Sequence, residues 1–131
     1  MCHYGEQIGP SGHHGLSCQR SAGRISCNSS INSIIAQALR SAEIPAELEP
    51  SGLLSSDLRR PDGSNLITWA HVKYLAWDFT CRDTVVSSHL SISSIAAVSM
   101  AREAHFCKSG KYAGLVQTYI FIPVVVETLG A

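Results

Sequence analysis

The sequence has no net charge to spend on a polyanion: ten Lys and Arg balance ten Asp and Glu over 131 residues. No chain-wide positive field would hold a nucleic acid, so any such contact has to come from local clusters. Long apolar runs are missing too. The longest, Tyr119 to Val126, falls far short of the roughly 20 residues that cross a bilayer. The polar opening Met1-Cys2-His3-Tyr4-Gly5-Glu6 has neither the basic flank nor the apolar stretch of a signal peptide. The expectation is an intracellular protein with no membrane partner. The glycines are scattered and form no Walker or dinucleotide loop, which argues against nucleotide-dependent chemistry. Five cysteines without regular spacing suit reduced thiols, and one metal site at most, better than a disulfide framework. What is present is enough chain for one domain, able to bury about two-thirds of its unfolded surface without cross-links.

Three zones follow one another. Residues 1–29 are rich in Gly, Ser, His and Cys with little apolar periodicity, which predicts a flexible arm that folds only around a metal or a partner. The core is expected over residues 30–131. Ile31, Ile34, Ile35, Ala38 and Leu39 recur at helical spacing, with Ser29 or Ser30 as cap and Pro45 as stop. Ala46-Glu47-Leu48-Glu49 between prolines suits an edge strand. Asn65 to Trp69 and Tyr74 to Phe79, joined by the turn Ala70-His71-Val72-Lys73, read as an antiparallel pair. A second helix is expected from about Ile95 to Leu115, with Ile95, Val98, Arg102, His105, Phe106 and Ser109 on one side. The apolar run Tyr119 to Val126 reads as a strand covered on both faces, except that Pro123 requires a bulge or an edge. The predicted class is α/β, in the order helix, strand, strand, strand, helix, strand.

That order gives two aspartates a particular meaning. Asp62, in Arg60-Pro61-Asp62-Gly63, starts the second strand, and Asp78, in Trp77-Asp78-Phe79-Thr80, lies near the end of the third. Antiparallel pairing brings those points together, and two carboxylates side by side can chelate a hard divalent cation. Glu49 is positioned to supply a third oxygen ligand. Each residue also has a plainer reading. Pro-Asp-Gly is an ordinary turn sequence, Asp78 has Arg82 as a possible ion partner, and Glu49 suits a solvated edge. Lys108 and Lys111 near the end of the second helix either complement its macrodipole or steady a phosphate. Cys81 with His89 suggests a thiol nucleophile, but no third orienting group is placed beside them.

The ordered set Cys2…His14-Gly15-Leu16-Ser17-Cys18, Glu49-Pro50, Arg60-Pro61-Asp62, Trp77-Asp78-Phe79-Thr80-Cys81 and Lys108-Ser109-Gly110-Lys111-Tyr112 spans nearly the whole chain. It resembles the restriction-enzyme-like, PD-(D/E)xK-type endonuclease domain at the carboxyl end of certain non-LTR retrotransposon polyproteins. The resemblance implies a zinc knuckle followed by a nuclease core that cuts DNA beside a reverse transcriptase, a polymerase for which this chain has no segment. It implies Mg²⁺ or Mn²⁺ at Asp62 and Asp78 with help from Glu49, a phosphate-steadying role for Lys111 or Lys108, and nuclear work if the domain functions. Three departures stand out. Thr80 occupies the place of the usual lysine two residues after the second acid, and Tyr4 replaces a knuckle cysteine, leaving Cys2, His14 and Cys18 as a degenerate zinc site. Cys27-Asn28 replaces a basic pair. Tetrahedral zinc lacks its full ligand set here, and a phosphate loses positive charge. The expectation is metal-dependent DNA cleavage by ancestry, impaired or lost in this chain, with a catalytically silent remnant or a non-enzymatic nucleic-acid- or protein-binding module as the alternative.

Overall fold

The computed structural model describes residues 7, 10, 22–53, 60–82 and 99–127. Cys2, His14 and Cys18 of the arm, and also His89, lie outside the described residues, whereas residues 22–29 belong to the first helix. The described part is mixed α/β. Helix α1 (Ala22–Ser41) precedes strands β1 (Ala46–Leu48), β2 (Gly63–Asn65) and β3 (Tyr74–Arg82); then come helix α2 (Ser99–Lys111), a 3-10 turn (Ala113–Leu115) and strand β4 (Tyr119–Glu127). The strands form one sheet in the order β1-β2-β3-β4, antiparallel except for the parallel β3–β4 pair.

Helix α1 starts well before Ile31, so Ser29 and Ser30 lie inside it and do not cap it. Its end is a Schellman motif: Ile44 N–H donates to Leu39 C=O at 2.9 Å and Glu43 N–H to Arg40 C=O at 3.0 Å. Glu43 takes the left-handed position at φ 62°, where glycine is usual. The buried face of α1 centres on Ala36, with Ile35 and Leu39 beside it, while Ile34 and Ala38 are exposed. An alanine at the contact lets the helix approach the large indole of Trp77, which is packed with Ala36, Ala46 and Val124.

Strand β3 is the spine of the sheet. Its side chains alternate between faces, and Trp77 meets α1 while Asp78 meets Lys108 and Tyr112 at the end of α2. One helix therefore covers each face. Of the expected stripe on α2, Ile95 and Val98 lie outside the described residues, and the rest is corrected here: Arg102 and His105 are exposed and Phe106 is 79 % exposed, whereas Met100, Ala101 and Ala104 are buried. Small residues decide the matter, because alanines one turn apart seat the helix flat on the sheet and carry Lys108 and Tyr112 down over Asp78.

Strand β2 lies at Gly63–Asn65 and not over the expected Asn65 to Trp69, and Leu66, Ile67, Thr68 and Trp69 are exposed beyond it. Two side chains flank its short ladder. Asn65 Oδ1 accepts from Leu75 N–H at 2.7 Å, and Asp62 Oδ2 accepts from Phe79 N–H at 2.7 Å. Strand β4 is an edge with β3 on one side only, which accommodates Pro123. It is half-buried along its length, with Ile122 and Val126 exposed, so it is not covered on both faces as its apolar run suggested. No helix among the described residues is long and apolar enough to cross a membrane.

Candidate functional site

The sheet registers build the site. Leu48 pairs with Gly63 and Gly63 with Trp77, so one further step along both antiparallel ladders sets Glu49 opposite Asp62 and Asp62 opposite Asp78. Backbone contacts extend the alignment: Glu49 N–H donates to Asp62 C=O at 2.7 Å. Three acidic residues thus form a row across the sheet, beside the ends of β1 and β2 and, for Asp78, at the middle of β3 and not near its end as expected.

A cleft of about 580 Å³ opens over that row. The sheet contributes Leu48, Glu49, Arg60, Asp62, Asp78 and Phe79 to its lining. Helix α1 adds Asn28, Ser29, Asn32 and Ser33, and α2 adds Lys108 and Lys111. The five residues of the expected acid and lysine set, Glu49, Asp62, Asp78, Lys108 and Lys111, therefore line one cavity, whereas Cys81 is not in its lining.

The carboxylates are held differently. Asp78 is 4 % exposed, a burial that is costly for a charge unless it is paired and hydrogen-bonded. Its ion partner is Lys108, not Arg82, because Asp78 sits in the middle of β3 under the end of α2. The Lys108 ammonium lies beside Asp78 Oδ2, yet that oxygen receives no aligned hydrogen bond. The contact is a pairing of charges. Asp78 Oδ1 is 2.9 Å from the Tyr112 hydroxyl, which is also 2.8 Å from the Arg60 carbonyl oxygen. A phenol has one proton to donate, so Tyr112 shares it between two acceptors. Asp62 is half-buried, and one of its oxygens is committed to Phe79 N–H. Glu49 is exposed, adopts φ 52°, and accepts from Arg60 Nη2 at 2.5 Å. That pair is solvated and contributes little to stability.

Sequence reasoning did not pick out Asn32, and it named Tyr112 and Asn28 only within the stretches compared in the resemblance, with no role in the site. Tyr112 follows Lys108 by four residues, the spacing that puts two side chains on one helix face, and this was the available signal. Asn32 Oδ1 accepts from the Trp77 indole N–H at 3.2 Å, which ties the α1 wall of the cleft to the core. Asn28 Oδ1 is buried without a hydrogen-bond partner. Nothing in the spacing of Asn28 and Asn32 distinguishes them from solvated helix residues.

Among the described residues, no three His, Cys, Asp or Glu side chains converge as a ready metal-holding group. The donor set centres on Asp62 and Asp78. Two carboxylates completed by water and phosphate oxygens is the coordination that Mg²⁺ favours over an all-protein cage, and the buried Asp78 Oδ2 without a hydrogen bond fits a cation ligand. No protein-family model matches the chain, and no curated protein matches it.

Proposed function

We propose that this chain is a retroelement-derived, endonuclease-like domain of PD-(D/E)xK type, whose cleft is arranged for a divalent cation and a DNA phosphate but whose cleavage is impaired. The observation that supports this reading is the alignment of Glu49, Asp62 and Asp78 in one row, under one cleft that also receives Lys108 and Lys111. Asp62 and Asp78 would hold a divalent cation there, and its chemistry would be to offset charge on the phosphate and to favour hydroxide from water at neutral pH. The protein's own groups do the rest. Asp62 and Asp78 bring negative charge to the cavity floor, Tyr112 orients Asp78, and Lys111 lines the cavity where charge builds on a phosphate. Thr80 offers no cation at the usual lysine's place.

A second reading, a silent remnant or a non-enzymatic binding module, rests on its own observation. Asp78 is already engaged by Lys108 and Tyr112, and Asp62 closes the β2–β3 ladder. Both acids therefore have structural work without a metal.

Nicking of supercoiled DNA in Mg²⁺ or Mn²⁺ tests the two together. The unmodified protein is expected to show no nicking above background. Any residual nicking should vanish in Asp62→Asn and Asp78→Asn, since the amide keeps the shape of the acid but not the charge that holds the ion. Lys111→Met should slow it while leaving metal binding intact. Robust cleavage lost in both aspartate variants would overturn the impairment. No cleavage and no bound metal would favour the remnant.

A further inference from the structure

We infer that Lys108 is a tethered counter-ion that occupies the cation position beside Asp78, so that a divalent ion binds only by displacing it. The inference rests on the proposed metal reading of the cleft and assigns Lys108 a role distinct from Lys111. Three observations carry it. Asp78 is almost wholly buried in the middle of a strand, so its charge needs a partner on the protein. Its Oδ1 is engaged by the Tyr112 hydroxyl, which leaves Oδ2 as the oxygen directed to a cation. Oδ2 has the Lys108 ammonium beside it without an aligned hydrogen bond. A structural carboxylate–lysine pair ordinarily gains from directed hydrogen bonds as well as charge. Here only the charge is matched, as it would be by any cation in that place.

The lysine is built to leave. Its side chain is partly exposed while that of Asp78 is nearly buried, and its four-carbon stem gives the ammonium several rotamers on the cleft side of α2. Lys108 and Lys111 lie three residues apart and line the same cavity. Displacement by a metal would therefore release the ammonium next to Lys111, where a phosphate bridging the cleft meets it. Metal binding then has two consequences. It is weakened by the competing ammonium, and it frees a cation for the substrate.

Manganese binding and thermal unfolding of the full-length chain test this together. Lys108→Met removes the competitor, so Mn²⁺ affinity should rise by at least about tenfold, since a unit charge about 4 Å away is worth roughly fivefold in bulk water and several hundredfold near a protein surface. Without metal the variant should melt below the unmodified protein, because Asp78 loses its counter-ion. Mn²⁺ should then raise its melting temperature more than it raises that of the unmodified chain. Lys73→Met, which removes an ammonium that donates to the Val116 carbonyl, should leave the affinity unchanged. If Lys108→Met is too unstable to study, Lys108→Gln removes the charge while keeping a donor, and the same ordering is expected. Equal Mn²⁺ affinity in the unmodified and Lys108 variants, abolished in both by Asp78→Asn, would overturn the counter-ion role and leave the metal site standing. Absence of Mn²⁺ binding in every variant would overturn the metal reading and the counter-ion role with it.

Discussion

Gly63 shows how one residue fixes where the acids sit. It pairs with Trp77 across the β2–β3 ladder, and a Cβ added to it would lie 2.1 Å from Trp77 Cζ2. That overlap cannot be relieved cheaply, because Trp77 is buried and packed against α1 and β4. Gly63→Ala is therefore expected to destabilise the fold by about 1–3 kcal/mol, the usual cost of overpacking a core. Urea unfolding followed by tryptophan fluorescence measures it, and an unchanged midpoint would mean that the indole does not lie on Gly63. The sequence pattern Pro-Asp-Gly carried an ordinary turn reading for this glycine. Its role became visible only with the partner strand, since the demand for a missing side chain comes from a residue 14 positions away in sequence. Asp62 and Asp78 were legible for the opposite reason, because an acid beside an apolar strand is conspicuous in sequence. Tyr112 was not, since its importance comes from the buried oxygens around it.

The elements were legible where periodicity and turn residues agree. The turn at Ala70 to Lys73 lies where the sequence placed it: Ala70 and Lys73 form a bridge and Lys73 N–H donates to Ala70 C=O at 2.9 Å. What the sequence did not reveal is its strain. His71 and Val72 take φ values of 50° and 60°, the left-handed pair of a tight hairpin turn that Asn-Gly fills best. A β-branched residue in that region is costly, and Val72 is 86 % exposed, so no packing compensates. Val72→Gly should accordingly stabilise the protein by about 1 kcal/mol, allowing for glycine's greater unfolded-state entropy. A fall in the denaturation midpoint would show that the valine has an unrecognised partner. The helices were legible in existence and less so in orientation. Ile34, Ala38 and Phe106 looked like core by their spacing, yet they are exposed while Ala36, Ala101 and Ala104 are buried, because the approach distance of helix to sheet is set by the smallest side chains at the contact and not by the most apolar ones on the surface.

At the scale of the whole molecule, charge balance limits what the cleft can hold. The chain's formal net charge is +0 at pH 7, so attraction to DNA must come from the cations that line the cavity, Arg60, Lys108 and Lys111. All three are engaged within the fold, Arg60 by Glu49, Lys108 by Asp78 and Lys111 over the ring of Tyr112. Each phosphate neutralised adds a fixed increment to the salt dependence of binding. With at most three contacts, the logarithm of the association constant should fall with the logarithm of salt concentration at a slope no steeper than about −2.7. Anisotropy of a labelled duplex in Ca²⁺, titrated between about 50 and 200 mM salt, measures that slope. A value near −1 would match one of these cations reaching a phosphate while the other two keep their partners in the fold. A slope of about −5 or steeper would require a basic surface outside the cleft, and the path of the nucleic acid would then have to be sought beyond the carboxylate row. Weak, shallow binding is also what separates an impaired nuclease from a dedicated DNA-binding module, since such a module depends on phosphate contacts for most of its affinity and this cleft has few cations to provide them.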